Sequence, residues 1–166
     1  MNKVRNKKET NDEVILMDKN ETLIKELNKF LRGIHMGADT FIVYQDKAEN
    51  KELKNELRRI MFIFREQDEK VSSYIKKLGG EPTNSLGVTG EMASVFEKLK
   101  DMFIDSDKEV IEHAISAIDM GIEGGSNLLD SYKDEHLDKG IFQHLNEMVS
   151  EYKSINNRLD ILYKSL

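Results

Sequence analysis

The chain has no cysteine, which removes disulfides, thiolate metal sites and cysteine nucleophiles together. Tryptophan is also absent, proline occurs once, and aromatic residues make up 7% of the chain. That scarcity, beside a charged content of 34%, argues against a strand-rich sandwich and for helices. No apolar run approaches the roughly 20 residues that a membrane-spanning helix needs, and residues 1–20 lack the apolar centre of a signal peptide. Basic residues are outnumbered, 25 Lys and Arg against 31 Asp and Glu, and the net charge of −6 repels phosphate, which speaks against nucleic acid as the main partner. The expectation is a soluble, cytoplasmic protein. Its 166 residues suit one domain, which at this length buries roughly two thirds of its unfolded surface.

What is present is helical rhythm. Residues 1–18 open basic with Lys3, Arg5, Lys7 and Lys8, turn acidic, and are expected to form a flexible N-terminal arm, which leaves 19–166 as the single folded domain. Asp18 and Glu21 have the form of a capping box, and Leu23, Leu27, Phe30, Ile34, Gly37, Phe41, Tyr44 and Ala48 then recur at steps of four and three, predicting a helix over about 19–49. Asn50 is placed to cap a second helix, whose seam runs from Leu53 through Leu57, Ile60, Phe64, Gln67, Val71 and Tyr74 to Leu78. Gly79, Gly80 and Pro82 end it. So short a connection predicts an antiparallel hairpin.

Residues 81–106 break the pattern: a loop, then a short amphipathic helix through Met92, Val95, Phe96, Leu99, Met102 and Phe103. A segment of this length suits a crossover travelling back along a bundle. Ser106 and Glu109 form a second capping box, helix three takes Ile111, Ala114, Ile118, Ile122, Gly125 and Leu129, and helix four takes Ile141, Leu145, Met148, Tyr152, Ile155 and Leu159. Two antiparallel hairpins joined by a long crossover that contains a short helix make the ferritin-like, all-α form of the four-helix bundle. An internal echo supports it: Ile34, Met36 and Gly37 match Ile118, Met120 and Gly121, and glycines at equivalent places predict a close approach of helices one and three.

Leu31-Arg32-Gly33, Met36-Gly37-Ala38-Asp39-Thr40-Phe41, Leu78-Gly79-Gly80-Glu81-Pro82 and Met120-Gly121-Ile122 together resemble a bacterial ferritin-like domain family of unknown function. The resemblance covers about residues 20–165. It implies kinship with the ferritin and rubrerythrin superfamily, whose members hold two irons or manganeses with a carboxylate from each of helices one and three and a Glu-x-x-His from each of helices two and four. None of the four histidines has an acidic residue three places before it: Arg32, Val110, Lys133 and Ile141 stand there. On helix two Glu69 takes the histidine's place after Glu66, and on helix four Ser154 takes it after Glu151.

Spacing from a turn near Asn50 sets Glu66, Asp68 and Glu69 opposite residues 31–34, where no carboxylate lies, and gives Asp39 a surface ion pair with Arg58 or Arg59. His35 with Asp39 and His144 with Glu147 share helix faces, but two ligands on one helix make a weak metal site. Gln67 is expected to be a hydrogen-bonded buried amide that fixes helix register. No Gly-x-Ser-x-Gly elbow or phosphate loop is present. The expectation is therefore a non-catalytic structural or interaction protein without a complete di-metal centre, with no cofactor, and with a protein partner, a second copy included, meeting the crossover helix at 90–103. The alternative is a carboxylate-rich di-iron or di-manganese oxidoreductase or metal-storage protein using Glu66, Asp68, Glu69, Glu147 and Glu151. Richness in lysine, asparagine and isoleucine, with the resemblance, points to a low-GC bacterial source. A stress or sporulation role accords with that source, and no residue argues for it.

Overall fold

Side-chain chemistry sets most of the helix ends. In a computed structural model that describes residues 2–84, 102–133 and 138–166, with side chains from Met17 onward except Asp18, Asn50 Oδ1 accepts from the backbone N–H groups of Glu52 and Leu53 and starts a helix at Lys51. Ser106 Oγ accepts from Glu109 N, and Asp138 Oδ1 accepts from Gly140 N and Ile141 N, so two further helices start just beyond those residues. The capping box at Ser106 is displaced by one residue: the Glu109 carboxylate accepts from Asp105 N rather than from Ser106 N. At the Gly79 stop, the backbone turns left-handed at φ 85°, Gly80 N donates to Ile75 O and Gly79 N to Lys76 O, a Schellman ending.

Among the described residues the elements are α1 (Asn2–Lys47), α2 (Lys51–Lys77), α3 (Asp107–Ser131) and α4 (Lys139–Ser165), with no strand. α1 packs on α2, α3 on α4, and the hairpins meet through α1 against α3 and α2 against α4. The architecture is the expected all-α bundle of two hairpins. One boundary differs: α1 begins at Asn2, not near 19, because residues 2–18 hold no proline or glycine to stop helix propagation. The Asp18–Glu21 pair therefore lies inside a helix and does not cap one. The expected helix at 90–103 falls largely outside the described residues.

The four seams close on one core. Leu27, Leu31 and Phe41 of α1 meet Leu53, Leu57 and Ile60 of α2, with Val110, Ile111 and Ile118 of α3 and Ile155 and Leu159 of α4 completing it. Each such side chain contributes about 1.5–3 kcal/mol on burial, so these seams outweigh the surface ion pairs. Hydrogen bonds pin both ends of the crossover to the first hairpin. At one end Thr83 N donates to Asn28 Oδ1 and Asn28 Nδ2 to Glu81 O; at the other Lys47 Nζ donates to Met102 O, and both oxygens of Asp107 accept, from Glu49 N at 2.7 Å and Asn50 N at 2.9 Å.

Candidate functional site

Halfway along the bundle, where the superfamily resemblance implies a di-metal centre, the seam positions carry Phe64 and Gln67 on α2 and Tyr152 on α4. Gln67 is buried, and its Oε1 accepts from the Tyr152 hydroxyl. The Tyr152 ring lies 5.9 Å from that of Phe64, which in turn lies 5.5 Å from Phe41. Burial pushes the Tyr152 hydroxyl well above its ordinary pKa, because a phenolate would lose its hydration there. Gln67 is thus the hydrogen-bonded amide that the sequence predicts, tied to the opposite helix.

The acidic and histidine candidates disperse. Glu66 and Glu69 are exposed on the outer side of α2 beside Lys70 and Lys77. Asp68 faces α1: its Oδ2 accepts from His35 Nε2 at 3.0 Å and its Oδ1 from Ser72 Oγ. His35 thus pairs across the hairpin and not with Asp39 on its own helix, and no carboxylate stands at 31–34 opposite the acidic stretch of α2. His35 lies three residues beyond Arg32, the position that a turn centred on Asn50 sets opposite Asp68. The predicted ion pair of Asp39 with Arg58 or Arg59 is also overturned, since Arg58 donates to Asn55 and Arg59 to Glu56. His144 Nδ1 is the hydrogen-bond partner of the Tyr74 hydroxyl across α2 and α4, and its Nε2 is 3.9 Å from Glu147, which accepts from Gln143.

Glu151 belongs to an ion network that local spacing does not disclose. Glu56 of α2 accepts from Arg59 Nε and Nη2 and from Arg158 Nε of α4, while Glu151 lies 3.6 Å from both guanidinium groups. Two carboxylates and two guanidiniums alternate between the helices, so the charges there are met internally. Among the described residues no three His, Asp or Glu side chains converge as a metal-ligand set. The donors present do not fit the superfamily's ligand pattern: those on α2 and α4 face solvent, a histidine or an arginine, and amide and aromatic groups fill the seam.

A second feature lies between α1 and α3. A cavity of about 610 Å³ has Phe30, Ile34, Phe64, Ile118, Leu128 and Tyr152 among its walls. Glycines make room for it. A Cβ at Gly37 would stand 2.9 Å from Phe64 Cζ and one at Gly121 3.1 Å from Tyr152 Cε2, so each glycine of the echoed pair admits an aromatic ring from its hairpin partner. At Gly33 and Gly124 a Cβ would meet nothing within 4 Å. α1 and α3 do pack on each other, but not through the echoed glycines: of the glycines on α3, Gly125 is the one whose Cβ would meet α1, at 3.5 Å from Phe30.

The comparisons with known proteins agree with this architecture. A family described as a domain of unknown function, DUF2383, matches residues 22–131. No curated protein matches the chain. Among solved structures, a two-domain protein from Anabaena variabilis with DJ-1/ThiJ/PfpI-like and ferritin-like domains aligns at TM-score 0.71 and 22% identity over 88% of this chain, which spans 40% of that protein's length. A protein from Bacillus anthracis described as ferritin-like, diiron-carboxylate aligns at TM-score 0.69 and 16% identity, covering 87% of this chain and 96% of that one. At these identities the likeness concerns the fold, which is ferritin-like.

Proposed function

The chain belongs to the DUF2383 family, and from that premise we propose that it is a non-catalytic structural or interaction protein whose ferritin-like bundle builds no complete di-metal centre. The observation that carries this reading is the hydrogen bond between Tyr152 and Gln67, two seam residues joined where ligands would have to point inward. The Glu56, Glu151, Arg59 and Arg158 network adds to it, because a carboxylate already neutralised by a guanidinium gives that pairing up when it takes a metal. Elemental analysis of protein purified without chelators tests the proposal. Metal well below one ion per chain is expected; a tightly held pair of irons or manganeses overturns it.

The rival reading, a carboxylate-rich oxidoreductase or metal-storage protein, draws on the diiron description of the Bacillus anthracis neighbour. It requires Glu66, Asp68, Glu69, Glu147 and Glu151 to gather, and predicts that iron or manganese raises the melting temperature and that Glu66→Ala abolishes the rise. Self-association through the crossover belongs to the first reading. There Phe103 is 86% exposed, and Phe96→Asp should change the mass measured by light scattering if the crossover joins two copies.

A further inference from the structure

The cavity between α1 and α3 has the size of a small-molecule site and a chemistry of one kind. Its volume of about 610 Å³ falls within the range of roughly 300–1,000 Å³ typical of ligand pockets, and its walls are mainly apolar. Four of its hydroxyl groups, all but that of Thr40, share one property: their protons are already committed. Tyr44 donates to His113 O, Ser116 to Glu112 O, Ser131 to Asn127 O and Tyr152 to Gln67 Oε1. Burial pushes the Tyr44 hydroxyl up to about 12, so that proton stays in place at neutral pH. What each hydroxyl has left for a guest is lone pairs, and a hydroxyl carries two of them.

Charge points the same way. Glu26 and Glu123 line the cavity, and neither has an ion-pair partner among the described residues; Lys29 is the one lysine or arginine among the described lining residues. Gly33, Met120, Glu123 and Gly124 are exposed, as are Lys29 and the two lining serines, and they mark the side on which the cavity opens. A guest that satisfies these groups has an apolar body and a head that donates hydrogen bonds and carries positive charge. An anionic head would meet two carboxylates and a set of acceptors against the single ammonium of Lys29.

We propose that this cavity binds an apolar amine, an alkyl or aryl chain ending in a primary ammonium group, with the chain against Phe30, Phe64 and Tyr152 and the ammonium near Glu123. The site stands apart from the Gln67 and Tyr152 reading, since it requires neither the presence nor the absence of metal.

Three probes with one chain and different heads test it on the full-length protein by titration calorimetry: decylamine, decanol and decanoate. Decylamine should bind once per chain, about tenfold more tightly than decanol, with decanoate weakest. Gly124→Leu places a side chain in open space inside the mouth, so it should keep the fold, hold or raise the melting temperature, and weaken decylamine by about tenfold or more. Gly33→Leu, also facing open space, serves if Gly124→Leu does not fold. Glu123→Gln should bring decylamine toward the affinity of decanol. Equal binding of all three heads, a preference for decanoate, or undiminished decylamine binding in the glycine variants overturns the proposal.

Discussion

The Tyr152 hydroxyl donates a 2.5 Å hydrogen bond to Oε1 of Gln67, joining α4 to α2 across 85 residues of sequence inside an otherwise apolar seam. Removing one partner strands the other. Tyr152→Phe should cost about 1–3 kcal/mol, because the buried amide oxygen loses its donor, and Gln67→Leu should cost a similar amount. The double variant should cost clearly less than the sum, since two apolar groups then face each other. Urea denaturation of the four proteins gives the coupling energy, and strict additivity would contradict the pairing.

Adjacent glycines should answer an added methyl in opposite ways. At Gly124 a Cβ meets open space, so Gly124→Ala should stabilise α3 by up to about 1 kcal/mol through helix propensity alone. At Gly125 the Cβ would stand 2.6 Å from Val149 Cγ2, and a β-branched side chain on a helix has little rotamer freedom with which to retreat. Gly125→Ala should therefore destabilise by about 1–3 kcal/mol. Thermal melts of the two variants side by side check the signs.

Glu56 is the better buried end of its ion network, with its side chain 13% exposed against 32% for Arg158 and 41% for Arg59. Glu56→Ala should cost about 2–3 kcal/mol, since two guanidiniums then compete for Glu151 and Arg158 Nε loses its acceptor while Nη2 of the same group already lacks one. Arg59→Ala, which leaves Arg158 to hold Glu56, should cost less than half as much in denaturant melts.

Alkali should weaken the fold through its buried tyrosines. Tyr44 titrates at about 12 in the folded chain against 10.0 unfolded, and Tyr152 is raised further in the same direction by burial. A raised folded pKa means that the unfolded chain releases its proton first. The contribution is complete below pH 10 and is lost as pH climbs from about 10 through 12, at about 1.4 kcal/mol per pH unit for each tyrosine. Urea midpoints between pH 9 and 12 should fall, and Tyr44→Phe should flatten that fall relative to the unchanged chain.

Local chemistry made most of the fold legible. The four-three rhythm marks each seam because a helix returns to the same face every 3.6 residues, and Asn50, Ser106 and Gly79 mark ends because each satisfies backbone groups a few residues away, as Asp138 also does without being among the expected caps. Relations between helices were less accessible. His35 meets Asp68 only because of the stagger of two helices, and Glu56 meets Arg158 across 102 residues, which no spacing within one helix encodes. Tyr152 gave a usable signal: a tyrosine at a seam position brings its hydroxyl into the core, and Gln67 was the polar group available to meet it. The cavity was hidden, since α1 and α3 do meet but the echoed glycines face Phe64 and Tyr152 and not each other, beside a void.

Asp107 has a consequence for the order in which the chain assembles. Its carboxylate reaches back 57 and 58 residues to the turn of the first hairpin, so this bond closes a long loop and carries the entropy cost of doing so. Contacts near the turn of each hairpin close far shorter loops and are expected to form sooner. A late bond is absent from the folding barrier, so Asp107→Asn should leave the refolding rate nearly unchanged and speed unfolding. The apolar seams then set how fast the bundle forms, and one carboxylate at the turn adds to how long it lasts.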